Sequence, residues 1–464
     1  MTELSQVRIL TGDECGLVKE TLLPSTDSIQ KGLAQTWIET KAARVERIAS
    51  KNYDEQSRRY AVKSLVPLSG VSEDGDAECW RFAALREGKG GIVEMYESSS
   101  LNEFNVGSFH QISSMEGIFE ANEIGSCIGM GYSSSHNRLL ASKSNGQLSI
   151  LPIHDMDDDF SLQKVSSRSK VLNNVQQNGD SITSFALSSD GFSAAFGGRD
   201  REIFVWDIEK STVLFRGKNL PPDPQTLLQQ KVWGTALRFI GNGIGQLSSD
   251  DPCKILAVGS AYKELRIYDI RAQRRPISHM REGVLEHRVT SICQLDDAGT
   301  ELAVGDAAGY IHNIDLRKMD AVGRFVGPGG SVRQIEKHGD MITCVSLDRI
   351  LRTYNIKTRR LTSKIYLKQR LNCCLFAPKK VKTSDVPTEG WAEGEVDDRV
   401  QAYVDSSEGS SSESEDIGEE FRNKQSSSSD SDSSELNSDE DETSEEDSSP
   451  LSGGEFESRK KRRT

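Results

Sequence analysis

Short runs in which apolar side chains alternate with small or polar ones recur along residues 1–377. Ser181–Leu187, Thr235–Phe239 and Val289–Cys293 are three of them. Alternation predicts strands, with successive side chains on opposite faces. Each run is followed by a second recurring unit. Its clearest copy, Gly197–Asp207, places a small residue and Asp200 before an apolar strand that closes on Trp206-Asp207. Ser346–Asn355 repeats it, with Asp348 six residues before Tyr354, as Asp200 is before Trp206. Weaker copies end at Tyr268-Asp269 and Ile314-Asp315, and degenerate ones cover Asn145–Leu151 and Gly91–Tyr96.

The residue after each aromatic position falls at 97, 152, 207, 269, 315 and 355. The intervals are 55, 55, 62, 46 and 40, against about 40–45 residues for a propeller blade of the WD type, with insertions in loops. Leu220-Pro221-Pro222-Asp223-Pro224 accounts for the longest. Six markers leave a seven-bladed ring one blade short. Val7–Leu10 and Gly16–Glu20, joined by Leu371–Phe376, can supply the missing blade, and closure by both ends leaves no free edge in the ring. The fold expected is therefore all-β: a seven-bladed β-propeller over residues 1–377, followed by a disordered acidic tail over 378–464. Trp206 and Tyr268 are expected in the core, and Asp200 and Asp348 as acceptors that fix turns.

Residues 21–63 fit this scheme least and are read as an inserted basic segment. Thr36–Ser50 has helix-forming composition. Residues 41–63 carry seven basic and three acidic groups, which suits a solvated insertion or a contact to phosphate.

Composition changes the picture mainly beyond Lys379. Residues 405–450 hold 17 acidic groups against 2 basic ones, more than the whole chain's net charge of −14, so the body is nearly neutral. A serine-rich acidic stretch repels itself and cannot build a core, and its serines suit an acidophilic kinase. Basic clusters bracket it: Lys379, Lys380 and Lys382 on one side, and Arg459, Lys460, Lys461, Arg462 and Arg463 at the end. Both read as nuclear signals for an import receptor.

Chemistry-bearing motifs are scarce. Gly241–Gly245 lacks the helix that a nucleotide loop requires, and Gly327–Gly330 lacks the Gly-Lys-Ser/Thr of a P-loop. Asp155–Asp159 lacks the ligand spacing of a calcium loop. The eight cysteines show no Cys-x-x-Cys and read as buried thiols of a reducing compartment. No apolar run reaches the roughly 20 residues of a membrane span, and no secretory signal opens the chain. The expectation is a soluble intracellular protein that is not an enzyme, with no cofactor, metal or small-molecule substrate.

Further motifs are Lys218-Asn219-Leu220-Pro221, Val232-Trp233 with Ala236–Phe239, Gln273-Arg274-Arg275-Pro276, Ile314–Arg317, Gly330–Arg333, Leu347–Arg352 and Tyr366–Asn372, of which Gln273–Pro276 and Tyr366–Lys368 lie outside the generic repeat. In these the chain resembles the family of nucleolar WD-repeat factors of 60S ribosome assembly, the WD repeat-containing protein 74-like family. The resemblance covers most of residues 216–377. Segment 21–60 and the long acidic tail depart from the family pattern. It implies a non-enzymatic scaffold on nucleolar pre-60S particles, acting in pre-rRNA processing, bound to assembly factors and pre-rRNA and released by an AAA-type ATPase. The candidate contacts are seven basic residues drawn from those motifs: Arg274, Arg275, Arg333, Arg349, Arg352, Lys368 and Arg370. Two other readings stay open. Tyr268-Asp269-Ile270-Arg271 resembles a box by which some propellers dock onto a cullin ubiquitin ligase, and an acidic tail would suit a histone-binding propeller.

Overall fold

A computed structural model describes residues 7–23, 44–48, 60–68, 80–88, 90–98, 109–119, 125–156, 159–162, 182–222, 224, 227–241, 254–280 and 283–377. The acidic tail and both basic clusters lie outside the described residues, as does Asp157-Asp158 of the acidic loop.

The described residues form seven four-stranded antiparallel sheets. Their inner strands are Val62–Pro67, Cys127–Ser133, Ile182–Leu187, Gly234–Ile240, Val289–Gln294, Val332–His338 and Leu371–Ala377. Each packs beside the next, and the last returns to the first, so the sheets close a ring of seven blades, numbered here from Val62. Both ends of the propeller make the seventh blade. Leu371–Ala377 is its inner strand, pairing Phe376 with Ile9 and Cys374 with Thr11. Val7–Asp13, Val18–Leu23 and Arg44–Ile48 follow outward.

That last strand corrects the helical reading of Thr36–Ser50. Its described part, Arg44–Ile48, is extended and pairs Val45 with Thr21 and Ile48 with Val18. Helix propensity is a weak preference, and a sheet edge with unpaired backbone groups overrides it.

Alternation has the meaning the sequence suggested. Seven apolar clusters fill the ring, one between each pair of neighbouring blades. A strand with one face in each of two cores must alternate around small residues. The glycine near the end of the second strand is what lets adjacent blades meet. A side chain on Gly259 would come within 2.3 Å of Val289, and one on Gly305 within 2.8 Å of Val332. Tyr268 is fully buried, whereas Trp206 only borders the cluster between blades two and three. Cys127, Cys293, Cys344 and Cys373 are buried, and desolvation pushes each thiol up to about 12.

The two aspartates of the repeat part company. Asp348 accepts hydrogen bonds from Ile350 N and Gly329 N, at 3.1 and 2.9 Å, and from the Ser346 hydroxyl. It fixes its turn as expected. Asp200 instead is exposed at a φ of 53°; its N–H donates to Val232 O at 2.8 Å and its carboxylate faces Arg199 at 3.7 Å rather than the turn's backbone. Its turn is held by the backbone bridge between Arg199 and Trp233.

Candidate functional site

In the antiparallel blades the second strand ends and the third begins at the same rim from which the next inner strand starts. Five of the seven sequence-selected cations belong there. Arg349 lies in such a turn, Lys368 and Arg370 in the connection from blade six to seven, and Arg333 just inside the sixth inner strand. Arg333, Arg349 and Arg370 are exposed and Lys368 is half-buried. Glu14, in the matching turn of blade seven, lies 4.0 Å from Arg333 and 3.6 Å from Arg370. Backbone bonds from Glu14 N to Arg370 O and from Leu367 N to Arg349 O, at 3.0 and 2.9 Å, tie these loops together.

The fifth, Arg352, also lies near this rim but is buried. Its guanidinium is 2.6 Å from Asp348 Oδ2, so its charge is satisfied inside the blade. The remaining pair sits elsewhere. Arg274 and Arg275 are exposed on the connection between Leu265–Asp269 and Ser278–His279, against the outer strand of blade three, Thr212–Arg216. Arg274 Nε donates to Arg216 O at 2.7 Å, and Lys218 N donates to Arg274 O at 2.8 Å.

Backbone strain marks the rim as well. Lys263 has a φ of 66° and Arg349 of 69°. Both follow the last residue of a second strand by three, the place filled by Gly16, Gly146 and Gly309 in other blades. A side chain in the left-handed region costs roughly 1–2 kcal/mol, and such strain tends to persist at functional sites.

Sequence reasoning missed a second part of the same rim. Trp233, directly before the fourth inner strand, has two guanidinium groups over its ring: Arg199 at 5.1 Å and Arg288 at 5.3 Å. Tyr262 meets its edge at 6.5 Å. The next blade repeats the theme: His287 stacks on Tyr310 at 5.9 Å and 7°, and Arg324 lies 5.3 Å from the same ring. The available signal was an aromatic or basic residue immediately before an inner strand, as at Trp233 and Arg288.

The ring encloses a polar channel of about 1670 Å³. Arg238 and Glu336 line it. Desolvation opposes the Arg238 charge, but Glu336 and Cys293 together outweigh it and raise the guanidinium pKa. Among the described residues no group of acidic, His and Cys side chains is arranged to hold a metal ion.

No family model matches the chain. It is 32% identical over 218 residues to WD repeat-containing protein 74 of Bos taurus, covering 43% of this chain and 53% of that protein. Against the Homo sapiens protein of the same name identity is 30% over 218 residues, with the same coverage. Ribosome biogenesis protein nsa1 of Schizosaccharomyces pombe is 29% identical over 167 residues, 35% of this chain and 42% of that one. The chain spans about half the length of the curated relatives it matches. Similarity to proteins of these names supports a WD-repeat ribosome-biogenesis family.

Proposed function

We propose that this protein is a non-enzymatic scaffold of large-subunit ribosome assembly, resident in the nucleus and nucleolus and acting on pre-60S particles during pre-rRNA processing. The observation that carries the reading is the rim of a rigid ring presenting Arg333, Arg349 and Arg370 to solvent, in a chain similar to proteins named for ribosome biogenesis. A closed propeller holds its loops in fixed relation, so assembly factors and pre-rRNA can be engaged on separate surfaces at once. Arg274 and Arg275 form a second such surface on the outer wall. The basic clusters at Lys379–Lys382 and Arg459–Arg463 serve an import receptor, and an AAA-type ATPase releases the protein from the particle.

Native purification of the tagged protein, gradient sedimentation and sequencing of the bound RNA test this. Co-sedimentation with large-subunit precursor rRNA and assembly factors is expected. A light complex with a cullin adaptor or histones and no pre-rRNA would overturn it.

A further inference from the structure

Cations on both faces of the ring have carboxylate partners, but three on the rim also touch aromatic rings. On the opposite face Lys357 pairs with Asp340 at 3.1 Å, Lys337 with Asp297 at 2.8 Å and Arg317 with Asp315 at 3.2 Å. On the rim, Arg199, Arg288 and Arg324 lie over aromatic rings. A guanidinium over a ring keeps its N–H fork and one planar face available, and it is held in place by the stack. The loops carrying these residues are joined, since Ala307 N donates to Arg288 O and Ala261 N to Trp233 O, at 2.9 and 3.0 Å. Tyr262 and Tyr310 are 40% and 43% exposed along the same line. Flat faces and cations therefore alternate across blades three to five.

We propose that this arc, from Arg199 past Trp233 and Arg288 to Tyr310, is a track for single-stranded RNA. It deepens the ribosome-assembly reading by naming a site and a ligand class. Phosphates meet the guanidinium forks while unpaired bases stack on the exposed planes. Duplex RNA hides its base faces inside its own stack and can use only the charges. An acidic peptide is in the same position. Charge alone is a weak attraction here, because Asp200 lies 3.7 Å from Arg199 and Glu286 lies 3.6 Å from Arg324. Stacking is what selects the ligand.

The test measures fluorescence anisotropy of the full-length protein with three probes: a short unstructured RNA, the same sequence as a duplex, and an acidic phosphoserine peptide. The single strand is expected to bind tightest, with an affinity that falls as salt rises. The double substitution Arg199→Ser with Arg288→Ser should weaken it about tenfold or more and leave the thermal midpoint in place. Arg288→Lys keeps the charge and removes the plane, so it too should weaken the single strand. Equal binding of duplex, tighter binding of the peptide, or an Arg288→Lys protein indistinguishable from the parent would overturn the proposal. Gradient sedimentation separates it from the broader reading. A double variant that loses RNA in solution yet sediments normally leaves the scaffold in place without depending on this track. A parent that binds RNA but never enters pre-ribosomal fractions leaves the track and removes the scaffold.

Discussion

Arg352 and Asp348 form an ion pair inside blade six, with Arg352 Nη1 2.6 Å from Asp348 Oδ2 and their side chains 4% and 14% exposed. The same carboxylate anchors the turn through Ile350 N, Gly329 N and Ser346. Burial alone would raise the Asp348 pKa, but the Ser346 hydroxyl, the Gly329 N–H and Arg352 outweigh it and hold the group below its ordinary value. A carboxylate depressed in the folded state stabilises the fold above its unfolded pKa of about 3.9, and the contribution disappears as pH falls through the lower folded value. Arg352→Ala takes the partner cation from a half-buried carboxylate and should cost roughly 1–3 kcal/mol at neutral pH. Urea denaturation at neutral and acid pH checks both statements. The gap between parent and Asp348→Asn should be widest near neutrality and shrink in acid.

Closure of the ring depends on a small residue where blades seven and one meet. A Cβ on Gly12 would lie 2.5 Å from Val62 Cγ1 and 2.7 Å from Cys373 Sγ. Gly12→Ala should cost about 1–3 kcal/mol by overpacking. Adding Val62→Ala should recover part of the loss, a coupling that a denaturation cycle reads directly.

Arg349 holds a left-handed turn position that other blades give to glycine. Arg349→Gly relieves roughly 1–2 kcal/mol of backbone strain. Against this, glycine's extra unfolded-state entropy costs about 0.5–1 kcal/mol. The variant should be as stable as the parent or slightly more stable by thermal unfolding, while associating less with pre-ribosomal particles. A loss of stability would make Arg349 a structural residue.

Arg274→Glu with Arg275→Glu removes one exposed hydrogen bond, from Arg274 Nε to the Arg216 carbonyl. Such a bond contributes only about 0.5–1.5 kcal/mol. Particle association on gradients should fall well beyond what that change in stability explains. Equal loss of folding and association would show the pair to be structural.

Deleting Arg459–Arg463 should shift a fluorescently tagged protein toward the cytoplasm, and deleting Lys379–Lys382 as well should complete the shift. Unchanged nuclear accumulation in the double deletion would remove the import role from both clusters.

The ring itself was legible in the chain. Alternating strands, the small residue before each turn and spare strands at both ends are local signals, because six of the seven blades fold from a contiguous stretch and each buries both faces against neighbours of the same kind. The seventh blade could be read because Leu371–Phe376 follows the last complete blade and the strands at Val7–Leu10 and Gly16–Glu20 precede the first, so the two ends must pair to close the ring. What the chain could not disclose was which polar residues end up inside. Arg352 and Arg349 stand three residues apart in one motif, yet one is buried against Asp348 and the other exposed, since that depends on the turn's geometry. Nor could it disclose that Arg199, Trp233 and Arg288 share one cluster. They belong to different blades, and only the closing of the ring carries their loops to the same rim, where a guanidinium can settle on an indole that its own strand never faces.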